Sequence, residues 1–137
     1  MHPIRRATTA DIAPLLELWT RADAEPTHTD DPESLARLLS RDPDALLVAV
    51  DGDGRLVGSV IAGWDGWRGS IYRLVVAPER RRAGLGRRLL HAAEDRFRDL
   101  AAARCQAVVV STDERAVSFW RASGWEQQVE RVRFVLG

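Results

Sequence analysis

Leu74-Val75-Val76-Ala77-Pro78-Glu79-Arg80-Arg81-Arg82-Ala83-Gly84-Leu85-Gly86-Arg87 is the stretch on which the fold turns. An apolar, β-branched run stops at a proline, and an apolar-periodic helical segment begins after two glycines. The stretch therefore reads as strand, turn, helix. Such a turn presents successive backbone N–H groups, and the new helix adds the positive end of its dipole, so the concavity suits a phosphate. Glycine lets the backbone approach an oxygen closely because no Cβ intervenes. Leu89 stands where the dinucleotide fingerprint requires Gly or Ala, and the Gly-Lys-Ser/Thr of a triphosphate loop is lacking.

Upstream, Ile4–Ala7 reads as a short strand, and Thr9 caps a helix reaching to about Asp23 with Ile12, Leu15, Leu16 and Trp19 on one face. Asp31 and Pro32 start a second helix as N-cap and first helical residue. The runs Ala45–Val50 and Arg55–Gly63 flank Asp51-Gly52-Asp53-Gly54, a hairpin signal. Gly69–Val76 is the next strand. Downstream, a long helix runs from Gly84 to about Ala101, with Leu89, Leu90, Ala93, Phe97 and Leu100 inward. Gln106–Ser111 reads as a central strand covered on both faces. Glu114–Ala122 is a short helix, and Glu126–Leu136 supplies a last strand or hairpin. The order β-α-α-β-β-β-α-β-α-β describes an α/β domain, a mixed central sheet flanked by helices.

The chain has 137 residues, enough for one domain over residues 1–137 that buries about two-thirds of its unfolded surface. Its 20 basic residues, all Arg, balance 20 acidic ones, so no net field draws it to nucleic acid or anionic lipid. Neither the Arg80–Arg82 run nor its surroundings interleave aromatics as a nucleic-acid surface would. Cys105 is the only cysteine, which excludes an intrachain disulfide and reads as a small buried hydrophobe. His2, His28 and His91 are dispersed, so no metal is expected. Met1-His2-Pro3-Ile4-Arg5-Arg6 lacks the apolar run of a signal peptide, and no stretch reaches the ~20 apolar residues of a membrane span. A cytoplasmic location without membrane contact is expected.

The turn closely resembles the Arg/Gln-x-x-Gly-x-Gly/Ala motif of the GNAT superfamily of N-acetyltransferases. Arg81 opens it, Gly84 and Gly86 close it, and Val76-Ala77-Pro78 matches the Val-x-Pro before it. A second signature, Asp113-Glu114-Arg115-Ala116-Val117-Ser118-Phe119-Trp120-Arg121-Ala122-Ser123-Gly124-Trp125, is similar to the family's Asn-x-x-Ala-x-x-Phe/Leu-Tyr-x-x-x-Gly-Phe. Trp64-Asp65-Gly66-Trp67-Arg68-Gly69, followed by Ile71-Tyr72, resembles a segment of a bacterial subgroup.

The resemblance implies the GNAT fold over nearly the whole chain and transfer of an acetyl group from acetyl-CoA to an amine. It implies that backbone amides of Arg81, Arg82, Ala83, Gly84, Leu85, Gly86 and Arg87 hold the coenzyme pyrophosphate, with Arg80–Arg82 available to pair with phosphates. Leu74, Val75 and Val76 would line the pantetheine arm where their strand splays from Gln106–Ser111, and the Val76 N–H would meet the acetyl carbonyl. Asp113 and Phe119 fall at coenzyme-side positions. Transfer in the family is usually direct, and the chain agrees, having no Gly-x-Ser-x-Gly elbow and no paired Cys and His.

Two positions depart from the pattern. Asp113 replaces Asn and cannot donate as an amide does. Trp120 replaces the Tyr that protonates the departing sulfur, so it is either a core residue or a weak donor beside the thioester. Tyr72, the only tyrosine, is either a strand aromatic or an acceptor contact that relays a proton. Trp64, Asp65, Trp67 and Glu25–Asp31 are read as solvated loops or as an amine-binding mouth. A non-catalytic acyl-CoA sensor is the other functional reading. The acceptor is a small molecule or a peptide, and an exposed last strand is compatible with a homodimer.

Overall fold

The computed structural model describes residues 2–137, with Met1 outside them, and these residues form two compact units that meet between Ala107 and Val108. The larger unit holds a five-stranded sheet in the order β1 (Ile4–Arg6), β2 (Leu46–Val50), β3 (Leu56–Trp64), β4 (Gly69–Val76), β5 (Cys105–Ala107). The first four strands pair antiparallel and β5 runs parallel to β4, so the sheet is mixed. Its helices are α1 (Ile12–Arg21), α2 (Pro32–Arg41) and α3 (Leu85–Asp99).

The local signals act as their chemistry requires. Asp31 accepts the Ser34 N–H at 2.7 Å and caps α2, with Pro32 at the first helical position. In the turn between β2 and β3, Asp51 Oδ1 accepts the N–H of Asp53 and of Arg55, and Gly54 takes a φ of +79°. The first helix starts later than expected. A 3₁₀ turn, Thr9–Asp11, precedes α1, and Asp11 reaches back to the Thr8 N–H at 2.8 Å. Arg5 grips the same carboxylate through two nitrogens at 2.8 and 3.0 Å, which with Thr8 holds Asp11 below the usual carboxylate range.

β3 is the central strand, buried continuously from Leu56 to Ile61 and on to Ala62. Helices cover both its faces, as two adjacent residues show. A Cβ at Gly58 would lie 2.8 Å from Leu89 of α3, whereas the hydroxyl of Ser59 accepts from Trp19 Nε1 of α1 at 2.9 Å. Neighbouring strand residues point to opposite faces, so α3 and α1 sandwich the sheet. Gly58 lets α3 lie that close.

Two expected elements differ. Gln106–Ser111 is not a central strand covered on both faces; its ladder is β5, three residues long at the sheet edge, and Val108 beyond it is exposed. An apolar run cannot become central unless β4 keeps offering it hydrogen bonds, and β4 stops doing so after Ile71. Glu126–Leu136 forms no strand either, and Phe134 is 91% exposed. Apolar residues favour strands only where a neighbour pairs with them, and no ladder involving this segment is present among the described residues. The smaller unit, Val108–Gly137, contains α4 (Glu114–Ala122).

Candidate active site

β4 carries a bulge. Ser59 stands opposite Val75 and Ile61 opposite Tyr72, so β4 has one residue more than β3 across this interval. Arg73 lies in it with a φ of +52°, unusual for a side chain with a Cβ. Pairing with β5 ends one residue earlier, at Ile71 with Ala107. From Tyr72 to Val76, β4 therefore keeps β3 on one side and has no β5 ladder on the other.

The hydrogen-bond phase at the end of β4 sets where Val76 points. Ala77 N–H donates to the Val57 carbonyl at 2.8 Å, and Val76 sits opposite Gly58. In an antiparallel pair, hydrogen-bonded and non-hydrogen-bonded positions alternate, so Val76 is of the second kind. Its N–H and C=O face away from β3, toward the side on which the β5 ladder has ended.

Beyond Val76, Pro78–Arg80 makes one 3₁₀ turn, and Arg82 and Gly84 both take left-handed conformations, φ +66° and +80°. Gly84 is the N-cap of α3, and a Cβ built on it would meet nothing within 4 Å. The first α3 bond runs from Arg88 N–H to the Gly84 carbonyl at 3.1 Å. The N–H groups of Leu85 and Gly86 precede it and have no acceptor within the helix. The turn thus presents unpaired amides at a helix start beside open space, an arrangement that suits a pyrophosphate.

The arginine run divides. Arg80 lies 3.6 Å from Asp51, and Arg81 donates to the Ala22 carbonyl at 3.1 Å, so both guanidinium groups brace the turn against its own unit. Arg82 is exposed. Tyr72 is 54% exposed, and its ring lies against the bare backbone of Gly63, 3.2 Å from where a Cβ would be.

In the smaller unit, Asp113 accepts the Ala116 N–H at 3.0 Å and caps α4. Trp120 is half-buried, edge-on to Trp125 at 4.7 Å and to Phe119 at 5.8 Å between ring centroids. Gly124, at φ +86°, turns the chain so that Trp125 donates its N–H to the Trp120 carbonyl.

The residues of the expected amine mouth are largely engaged elsewhere. Asp65 accepts from the N–H of Arg68 and Trp67 in its own hairpin, bonds that hold its carboxyl below the usual range. Asp30 is paired with Arg73, and Asp31 caps α2. Glu25 is exposed. Two hollows of about 390 and 360 Å³ share Trp64, Gly66 and Leu100, at the start of β4. The length of the strand, roughly 25 Å, separates them from Val76.

Sequence reasoning missed Arg73. A charged residue on the face that Ile71 and Val75 would share was the available signal, since an unbroken period of two would place Arg73 inward. Cys105 is half-buried, and burial raises its thiol above the ordinary range, as suits an unreactive side chain. Among the described residues no His, Cys, Asp or Glu cluster could hold a metal, and no helix is long and apolar enough to cross a membrane.

Comparison with known proteins bears on the same turn. The sequence model described as the acetyltransferase (GNAT) family matches residues 12–125. An acetyltransferase of Sodalis glossinidius is 30% identical over 118 residues, covering 86% of this chain and 82% of that protein. One of Photorhabdus laumondii is 36% identical over 104 residues, covering 76% and 70%. The crystal structure of an aminoglycoside 6'-N-acetyltransferase from Acinetobacter baumannii superposes with a TM-score of 0.79 at 17% identity, over 100% of this chain and 99% of that one.

Proposed function

Because this chain belongs to the GNAT acetyltransferase family and is an acetyl-CoA-dependent acetyltransferase, we propose that it passes the acetyl group directly to a primary amine at the end of β4. Bound acetyl-CoA supplies an activated acyl carbonyl and a thiolate leaving group. The amides of the 81–87 turn hold its pyrophosphate, and Leu74–Val76, past the end of the β5 ladder, takes the pantetheine arm.

The observation that carries the reading is the phase of β4. Val76 directs its N–H outward where the β5 ladder has ended. There it is a fixed donor for the negative charge that grows on the carbonyl oxygen under attack. In the transfer a C–N bond forms as the C–S bond breaks, the amine gives up one proton, and the sulfur leaves as thiolate and takes a proton. Tyr72 or water serves that sulfur; the family pattern gives Trp120 the same part, and Asp113 and Phe119 a part toward the coenzyme. The acceptor is a small amine or a peptide N-terminus.

The test is release of free thiol from acetyl-CoA with a polyamine, an aminoglycoside and a short peptide bearing a free N-terminus, beside calorimetry of acetyl-CoA alone. Turnover on one of them is expected. Binding without turnover on any would favour an acyl-CoA sensor.

A further inference from the structure

We propose that Arg73 is a positioning residue that clamps the loop from Glu25 to Asp30 onto the bulge of β4 and so fixes where the acceptor approaches. The proposal rests on the reading that transfer occurs at Val76. Arg73 Nε donates to Asp30 Oδ1 at 3.0 Å, one terminal nitrogen donates to the other Asp30 oxygen, and the same nitrogen donates to the Glu25 carbonyl at 2.7 Å. The guanidinium also lies over the Trp19 ring, 5.1 Å from its centroid.

The backbone of Arg73 is held as firmly as its side chain. Its carbonyl accepts from Ser59 Oγ at 2.8 Å, and that hydroxyl in turn accepts from Trp19 Nε1. Asp30 closes the loop on itself by accepting both the N–H and the hydroxyl of Thr27, each at 2.9 Å. One residue thus joins α1, the loop and β4, three positions before Val76.

A left-handed, non-glycine residue persists where its surroundings over-determine it. Here they comprise a bidentate carboxylate, an indole face and a buried hydroxyl. The clamp has a chemical consequence. Asp30 receives four donors and has no capacity left for a substrate ammonium, while Glu25, anchored by its carbonyl, keeps its side chain in solvent.

Arg73→Gly separates the two roles, because glycine keeps the left-handed backbone and removes the guanidinium. Three readouts on the full chain test it: amide exchange of Thr27 and Asp30, the acetyl-CoA Kd, and KM and kcat for the fastest of the three amine probes. The expected result is faster exchange confined to the loop, KM raised at least tenfold, kcat within threefold, and Kd within twofold. Arg73→Lys, which keeps the charge but not the fork, should recover part of the KM. Asp30→Asn should raise KM similarly, and the double variant should be no worse than either single one.

A KM within twofold of wild type in Arg73→Gly would overturn the proposal, as would exchange rising equally through α1 and β4. If wild type fails to bind acetyl-CoA, the reading of the turn fails instead. If no probe turns over, amine transfer fails, and unchanged loop exchange in Arg73→Gly would still overturn the clamp.

Discussion

Replacing Gly84 by Ala adds one methyl group at the proposed phosphate cradle, and the structure separates its two effects. The new Cβ would touch nothing within 4 Å, so packing contributes no penalty. The φ of +80° is another matter, since a left-handed alanine costs about 1–2 kcal/mol. For a chain of this size, that lowers Tm by roughly 3–10 °C. With a starting stability of about 5–15 kcal/mol, more than about 99% of the variant stays folded at 25 °C. Weaker binding then cannot come from unfolding. If the methyl displaces the coenzyme from one amide, the loss is about 1.5–3 kcal/mol, or roughly 10- to 150-fold in Kd.

Gly54 provides the control, with φ +79° and nothing within 4 Å of its Cβ, in the β2–β3 hairpin. Gly54→Ala should therefore lower Tm by a similar amount and leave acetyl-CoA affinity unchanged. Thermal melts and calorimetry on the two variants decide the matter. Equal Kd values for both and for wild type would remove the phosphate role from this turn, whatever the melts show.

Trp120→Phe keeps an aromatic ring for Trp125 and Phe119 but removes the N–H; kcat should fall, by less than about 100-fold, and Trp120→Tyr should raise it by restoring an acidic proton. Wild-type kcat in both would take Trp120 out of the chemistry. A direct attack needs a neutral amine, so kcat/KM should climb with pH and level off; a flat profile from about pH 6 to 9 with rate-limiting chemistry would count against it. Asp11 titrates lower in the folded chain than its unfolded value of about 3.9. Its contribution is thus present above about pH 4 and is lost as pH falls through the folded pKa. Denaturant melts of wild type and Asp11→Asn should converge at low pH, and a gap that persists there would refute the assignment. Ser59→Ala strips the partner from the buried Trp19 N–H and should cost about 1–3 kcal/mol, read as a shift in the denaturation midpoint.

Much of the candidate site was legible because it is local. Two glycines, a proline and an apolar strand specify the turn over a dozen residues, and Gly84 takes the left-handed conformation that such a turn requires. Asp31 and Asp113 cap the helices they precede for the same reason: a carboxylate two or three residues ahead of unpaired N–H groups needs no distant partner. The two motifs identified the family before any contact was known.

Strand rank and strand length are long-range properties, and these the sequence left open. Ala107–Val110 is apolar enough for a sheet centre, yet the centre is β3, which pairs with β2 and β4 and has helices packed on both faces through Gly58 and Ser59. The ladder of β5 ends after three residues, just before the β4 bulge, and the bulge residue Arg73 is held by Ser59 and Trp19, 14 and 54 residues distant in sequence. Arg73 shows the limit most plainly. In sequence it is a charge interrupting an apolar strand; its pairing with Asp30 and its place over Trp19 exist only once α1, the loop and β4 have been brought together. Local sequence determined the turn that presents the amides, whereas tertiary packing decided where along β4 the neighbouring ladder stops.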